Sequence, residues 1–178
     1  MPFRVLGTRV EWTPESQRPT AGDLLLLPAN EHLWMTSGPG LELKKSLGKE
    51  IELEAVRQGP AEAGTVVVTS AGSLGYGQLV HAVVSTVDHV WAPGAGEAAV
   101  VAAIAHARER GARTLVAWPL YRGVAAADRA VAAKEMMRGF VQGLDGRTRL
   151  TVVSVLFADE AEQALLQRTM VQVLGEVT

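Results

Sequence analysis

Asn30 is the polar end of an apolar run, Asp23-Leu-Leu-Leu-Leu-Pro-Ala-Asn30, and the glycine-bearing stretch Ser37-Gly38-Pro39-Gly40 follows it closely. Four consecutive leucines predict a strand buried on both faces, and ligands of open α/β sheets gather outside the carboxyl ends of such strands. Small residues in the next loop let a ligand approach the backbone, and the free amides that open a helix can hold phosphate. A second loop, Leu120-Tyr121-Arg122-Gly123-Val124, leaves another strand end after Trp118-Pro119. Of the histidines, His32 lies between Asn30 and the glycines, while His89 and His106 fall in a loop and on a helix. His-Glu-x-x-His, Gly-x-Ser-x-Gly and the Gly-x-x-x-x-Gly-Lys-Ser/Thr phosphate loop are all absent, so no metal site, hydrolase elbow or phosphate-loop NTPase is expected.

Those loops need a sheet to hold them at one edge. Phe3 to Trp12, with Val5 and Val10 in loose alternation, predicts a first strand or strand pair near a sheet edge, and Thr13 to Gly22 a surface loop. Beyond the glycines, Leu41, Leu43, Leu47, Ile51 and Val56 recur at roughly helical spacing, which predicts one amphipathic helix stopped at Gln58-Gly59-Pro60. Thr65–Thr69 and Leu79–Ser85 predict strands, Glu97–Arg110 a helix and Arg113–Trp118 a strand. Ala125–Leu144 predicts a helix burying Val131, Met136, Met137, Phe140 and Val141, and Leu150–Phe157 the last central strand. Asp159-Glu160 opens a terminal helix with carboxylates at its positive end. The alternation predicts an α/β protein: a three-layer α/β/α sandwich around a mixed, largely parallel sheet, in one domain spanning residues 1–178.

Bulk properties narrow the function. A net charge of −2 argues against general nucleic-acid binding, leaving room only for a local basic patch. With no cysteine there is no disulfide, thiolate metal site or cysteine nucleophile. Met1-Pro2-Phe3-Arg4 lacks a signal-peptide core, and no apolar run approaches the ~20 residues of a membrane span. The expectation is a soluble, cytoplasmic protein.

The order of these landmarks resembles the macro domain, the family whose best-known ligand is ADP-ribose. The family's Asn-Ala-Ala-Asn strand end and Gly-Gly-Gly loop find divergent counterparts in Asp23–Asn30 and Ser37–Gly40. Ala63-Gly64-Thr65-Val66-Val67-Val68-Thr69 is similar to its Thr-Gly-Glu-Ala-x-x-Thr strand, Leu79-Val80-His81-Ala82-Val83 to its Val-Ile-His strand, and Ala117-Trp118-Pro119 to its Ala-Phe-Pro. The final strand and Asp159-Glu160 also fit, so the resemblance covers almost the whole chain.

The resemblance implies a binding cleft between the Asn30–Leu41 and Leu120–Ala126 loops. Asn30 would bond the distal ribose hydroxyls through an amide that both donates and accepts. Ser37, Gly38, Gly40 and Leu41 would meet Gly123 and Val124 around the phosphates. The second loop is shortened, and Arg122 would either pair with phosphate in its place or turn to solvent. Glu11 is the counterpart of a carboxylate that reads adenine, or a surface glutamate; Phe157 either stacks near the base or belongs to the core. His81 is expected to be structural. Hydrolytic relatives carry an aspartate after the glycine loop; here Glu42 is the nearest carboxylate.

The implied ligand is ADP-ribose, a related adenine nucleotide or an ADP-ribosylated protein, with no cofactor. Two other readings stay open. One is an ADP-ribosyl or O-acetyl-ADP-ribose hydrolase. The other is a scaffold whose cleft is filled by Trp34, Met35 or Tyr121 and which acts through protein contacts.

Overall fold

A computed structural model describes residues 1–177. Phe3–Val5 and Thr8–Pro14 form β1 and β2, paired antiparallel around a turn at Leu6 and Gly7. In β3, Ala21–Asn30, the leucine run divides by side: Leu24 and Leu26 enter one core cluster, Leu25 and Leu27 the other. An apolar run is what a strand covered on both faces requires.

The expected single helix is two, α1 (Gly38–Leu47) and α2 (Glu50–Val56). Gly48, at φ 91°, ends the first. Both helices still bury one apolar side, through Leu43 and Ile51, so the hydrophobic period runs across the break and hides it. β4 (Val66–Ser70) and β5 (Gly75–Ser85) form an antiparallel pair, and β5 starts at Gly75, four residues before the predicted Leu79. Then come α3 (Ala95–Arg110), β6 (Thr114–Ala117), α4 (Arg129–Gly143), β7 (Val152–Phe157) and α5 (Glu160–Glu176).

The sheet has seven strands in the order β1-β2-β7-β6-β3-β5-β4. The five inner strands run parallel, and the outer two antiparallel to their neighbours. On one face α3, α4 and α5 pack Val100, Met136, Phe140, Leu166 and Met170 against Leu24, Leu26 and Val80. On the other, α1 and α2 bring Leu43 and Ile51 to Leu25, Leu27 and Leu79. This is the expected α/β/α sandwich with a mixed sheet.

Three local readings change. β2 and β3 extend into the predicted Thr13–Gly22 loop, which shrinks to a short 3-10 turn, Glu15–Gln17, and three further residues. The helix predicted from Ala125 starts at Arg129, because Asp128 accepts the amides of Ala130 and Val131 and caps it. Val131, expected in the core, is 49% exposed on that first turn. The parallel strands all present their carboxyl ends at one edge, where both glycine loops emerge.

Candidate functional site

A cleft opens at the ends of β3, β5 and β6. Its walls include Asn30, Met35, Ser37, Gly40, His81, Ser85, His89, Arg122, Gly123 and Val124. Of the residues assigned from sequence, Asn30, Ser37, Gly40, Arg122, Gly123 and Val124 therefore come together. Gly38 and Leu41 sit behind the wall: Gly38 packs on the Arg122–Gly123 backbone, and the Leu41 amide bonds the Ser37 carbonyl at 3.3 Å.

Asn30 is 5% exposed and shapes its own loop. Its Oδ1 accepts the amides of His32 (3.0 Å) and Trp34 (3.3 Å), and its Nδ2 donates to the Trp34 carbonyl at 2.9 Å. A side-chain amide has two donor hydrogens, so one remains uncommitted. Glu52 of α2 fixes the far end of this loop, accepting the Met35 amide at 2.6 Å and Lys44 Nζ at 3.0 Å. Trp34 is half exposed and stacks on His32 with ring centroids 5.0 Å apart.

The two loops touch. Ser37 Oγ donates to the Gly123 carbonyl at 2.9 Å and lies 3.4 Å from His89 Nδ1. Gly38 and Gly123 have φ of 55° and 77°, and a Cβ on either would meet the other loop's backbone within 2.9 Å. Only glycine permits this approach. Between the two loops the cleft holds about 20 Å³ of free space, room for about one water molecule.

Arg122 is largely covered, and three of its donors are held by carboxylates. Its Nε donates to Glu162 Oε1 at 2.9 Å, its Nη2 to Glu162 Oε2, and its Nη1 to Glu15 Oε2 at 3.2 Å. Glu162 also accepts the Tyr121 hydroxyl and the Ala158 amide, each at 2.7 Å. Glu15 accepts the Trp118 indole N–H at 2.7 Å, and Arg18 lies over that indole. Burial pushes the Glu162 carboxyl upward, but the bonds from Arg122, Ala158 and Tyr121 outweigh it and hold the group below the usual glutamate range.

Glu11 stays away from the cleft. It lies within β2, bonded to Ser154 Oγ at 3.0 Å and Arg9 Nε at 3.0 Å. The carboxylate beyond the strand end is Glu15. Phe157 is 9% exposed and joins the core, which leaves little ring face for stacking. Glu42 is exposed, outside the cleft. His81 is buried and bonds Thr69 Oγ1 through Nε2 at 2.9 Å. Burial pulls its pKa down to about 4, against a small opposing pull from Glu54, so it is neutral near pH 7.

Sequence reading missed Glu15, Glu52, His89 and Glu162. Glu162 had one visible signal, its place in the first turn of α5, which reads as a dipole partner. Among the described residues no group of three His, Asp or Glu is arranged to hold a metal ion, and no helix is long and apolar enough to cross a membrane.

The Macro domain family model matches residues 27–136, a span that takes in both loops. The chain belongs to the macro domain family. The Oceanobacillus iheyensis macrodomain with ADP superposes at a TM-score of 0.80 with 15% identity, covering 99% of this chain and 97% of that one. A single-substitution variant of the same macrodomain with ADPR gives 0.78 at 16% identity, covering 99% and 98%. The Trypanosoma brucei macrodomain in complex with ADP gives 0.72 at 14% identity, covering 92% and 69%. At these identities the likeness is one of fold. An uncharacterized protein of Aquifex aeolicus is 38% identical over 60 residues, which span 34% of this chain and 36% of that protein. Within the macro fold, this chain pins its two cleft loops together and binds its loop arginine to carboxylates.

Proposed function

We propose that this macro domain binds ADP-ribose or a related adenine nucleotide, free or attached to protein, in the cleft between the Asn30 and Gly123 loops. The observation that carries the reading is the meeting of both loops at the carboxyl ends of β3 and β6, with a buried Asn30 keeping one donor hydrogen free. The opening amides of α1 supply a site for phosphate once the loops part. Structures of the same fold with ADP and ADPR support the ligand class.

Binding is favoured over hydrolysis. Among the described residues that line the cleft, none is an aspartate or glutamate, and Glu42 is exposed outside it. No carboxylate is therefore positioned to activate water against a bound ribose.

Titration calorimetry with ADP-ribose tests the proposal, with AMP as a ligand that has the base but no second ribose. The expected result is micromolar ADP-ribose binding, about −8 kcal/mol, and none of AMP. Asn30→Asp keeps the oxygen that accepts the His32 and Trp34 amides but removes the donor, and it is expected to weaken binding at least tenfold. No heat with ADP-ribose and an unchanged melting temperature overturn the proposal and favour a scaffold acting through protein contacts.

A further inference from the structure

Asn30 and Trp34 form one unit of the cleft wall. The Asn30 side chain accepts the Trp34 amide and donates to the Trp34 carbonyl, so the backbone of residue 34 is fixed from both sides. Leu33 and Met35, 1% and 4% exposed, anchor the chain before and after it. Leu33 does so at a left-handed φ of 63°, a costly conformation for a residue with a side chain. Between these anchors the Trp34 side chain is turned outward, 50% exposed, where it lines the cleft.

Two other rings stand at the same edge, and each carries a guanidinium. Arg18 lies over Trp118 at 5.0 Å and Arg129 over Tyr121 at 5.5 Å. Trp34 is backed by His32, nearly parallel at 21° with centroids 5.0 Å apart. Among the described residues no lysine or arginine lies over it. Neither residues 19–43 nor residues 58–107 contain a lysine or arginine, while Glu31 and Asp88 lie in the loops that leave β3 and β5. Lys44 is tied to Glu52 at 3.0 Å, and Arg57 follows α2; neither lines the cleft. An open indole face attracts a flat cation through its ring quadrupole, and carboxylates nearby add to the attraction.

We propose that Trp34 is a platform for a flat cation carried by the ribose that Asn30 holds. This rests on the binding reading above. A ribose hydroxyl that takes the free Asn30 hydrogen lies beside the Trp34 backbone, because the same Nδ2 already donates to the Trp34 carbonyl. The anomeric carbon is bonded to the carbon bearing the nearer hydroxyl, so its substituent is the group within reach of the indole. Two ligands share the required chemistry. NAD⁺ carries a pyridinium ring at that carbon, and a protein ADP-ribosylated on arginine carries a guanidinium. ADP-ribose has only a hydroxyl there.

Titration calorimetry on the intact chain compares NAD⁺ with ADP-ribose, and a peptide ADP-ribosylated on arginine with a matched peptide ADP-ribosylated on serine. At least one cationic ligand is expected to exceed its neutral counterpart by about threefold or more, and the pair that shows the gain identifies the source of the cation. Gains below threefold in both pairs overturn the platform. No binding of any of the four ligands overturns the cleft reading itself, and this inference with it.

Two variants tie the effect to the ring. Trp34→Leu keeps apolar bulk without a π face and is expected to lose the preference, while ADP-ribose affinity stays within about twofold. Trp34→Phe keeps a ring and is expected to keep a preference. With cooperative melting verified, a preference that survives in Trp34→Leu or is lost in Trp34→Phe overturns the role of Trp34.

Discussion

Glu162 is a carboxylate with a side chain 4% exposed, and it is bearable there only because Arg122, Tyr121 and the Ala158 amide answer it. Its folded pKa lies below the unfolded value, so the stability it contributes is present above about pH 4.5 and is lost as pH falls through the folded value. Glu162→Gln is expected to cost about 2 kcal/mol at pH 7, reduced from the cost of breaking a fully buried pair because Arg122 is partly exposed. Urea denaturation at pH 7 and pH 3.5 checks this, the gap between wild type and variant closing at the lower pH. His81 behaves differently, being a base kept neutral by burial, with its pKa lowered from 6.5 to about 4. The unfolded chain binds its proton first, so stability is complete above pH 6.5 and falls by up to about 3 kcal/mol as pH drops toward 4. Removing the imidazole in His81→Gln is expected to flatten the melting temperature between those limits.

At the scale of elements, the cleft depends on two loops that approach without side chains between them. A Cβ at Gly123 would lie 2.8 Å from Gly38 and sit on a left-handed backbone. Gly123→Ala is expected to destabilise by about 1–3 kcal/mol and to speed amide hydrogen exchange in residues 36–41 and 121–126, with protection in β3 and β5 unchanged. Equal acceleration throughout the sheet would mean that the contact supports the whole fold rather than the cleft. Much of this geometry was legible in sequence, because a strand end, a glycine loop and a helix start are local signals. The break at Gly48 was not, since Leu43 and Ile51 keep one hydrophobic period across it. Arg122 was expected to meet phosphate or solvent, and its guanidinium is held by two carboxylates instead. Its carboxylates lie 107 and 40 residues away, and only the folded order of β2, β6 and β7 brings them together.

At the scale of the molecule, the layer order followed from the alternation of strands and helices, and the division of the leucines in β3 shows why. Leu24 and Leu26 serve one helical layer while Leu25 and Leu27 serve the other, so a single run commits the chain to three layers. The same sheet holds the cleft walls on separate strands, and the Ser37–Gly123 bond closes them. With room for about one water, the binding proposed above requires the loops to part, and that bond is the side-chain contact that joins them. Apparent affinity is then the intrinsic affinity scaled by the fraction of molecules open. In stopped-flow mixing, the observed association rate is expected to level off with rising ligand concentration, at the rate of loop opening. Ser37→Ala removes the bond and should raise that plateau; a rate that stays linear in ligand would mean the gate opens faster than ligand arrives.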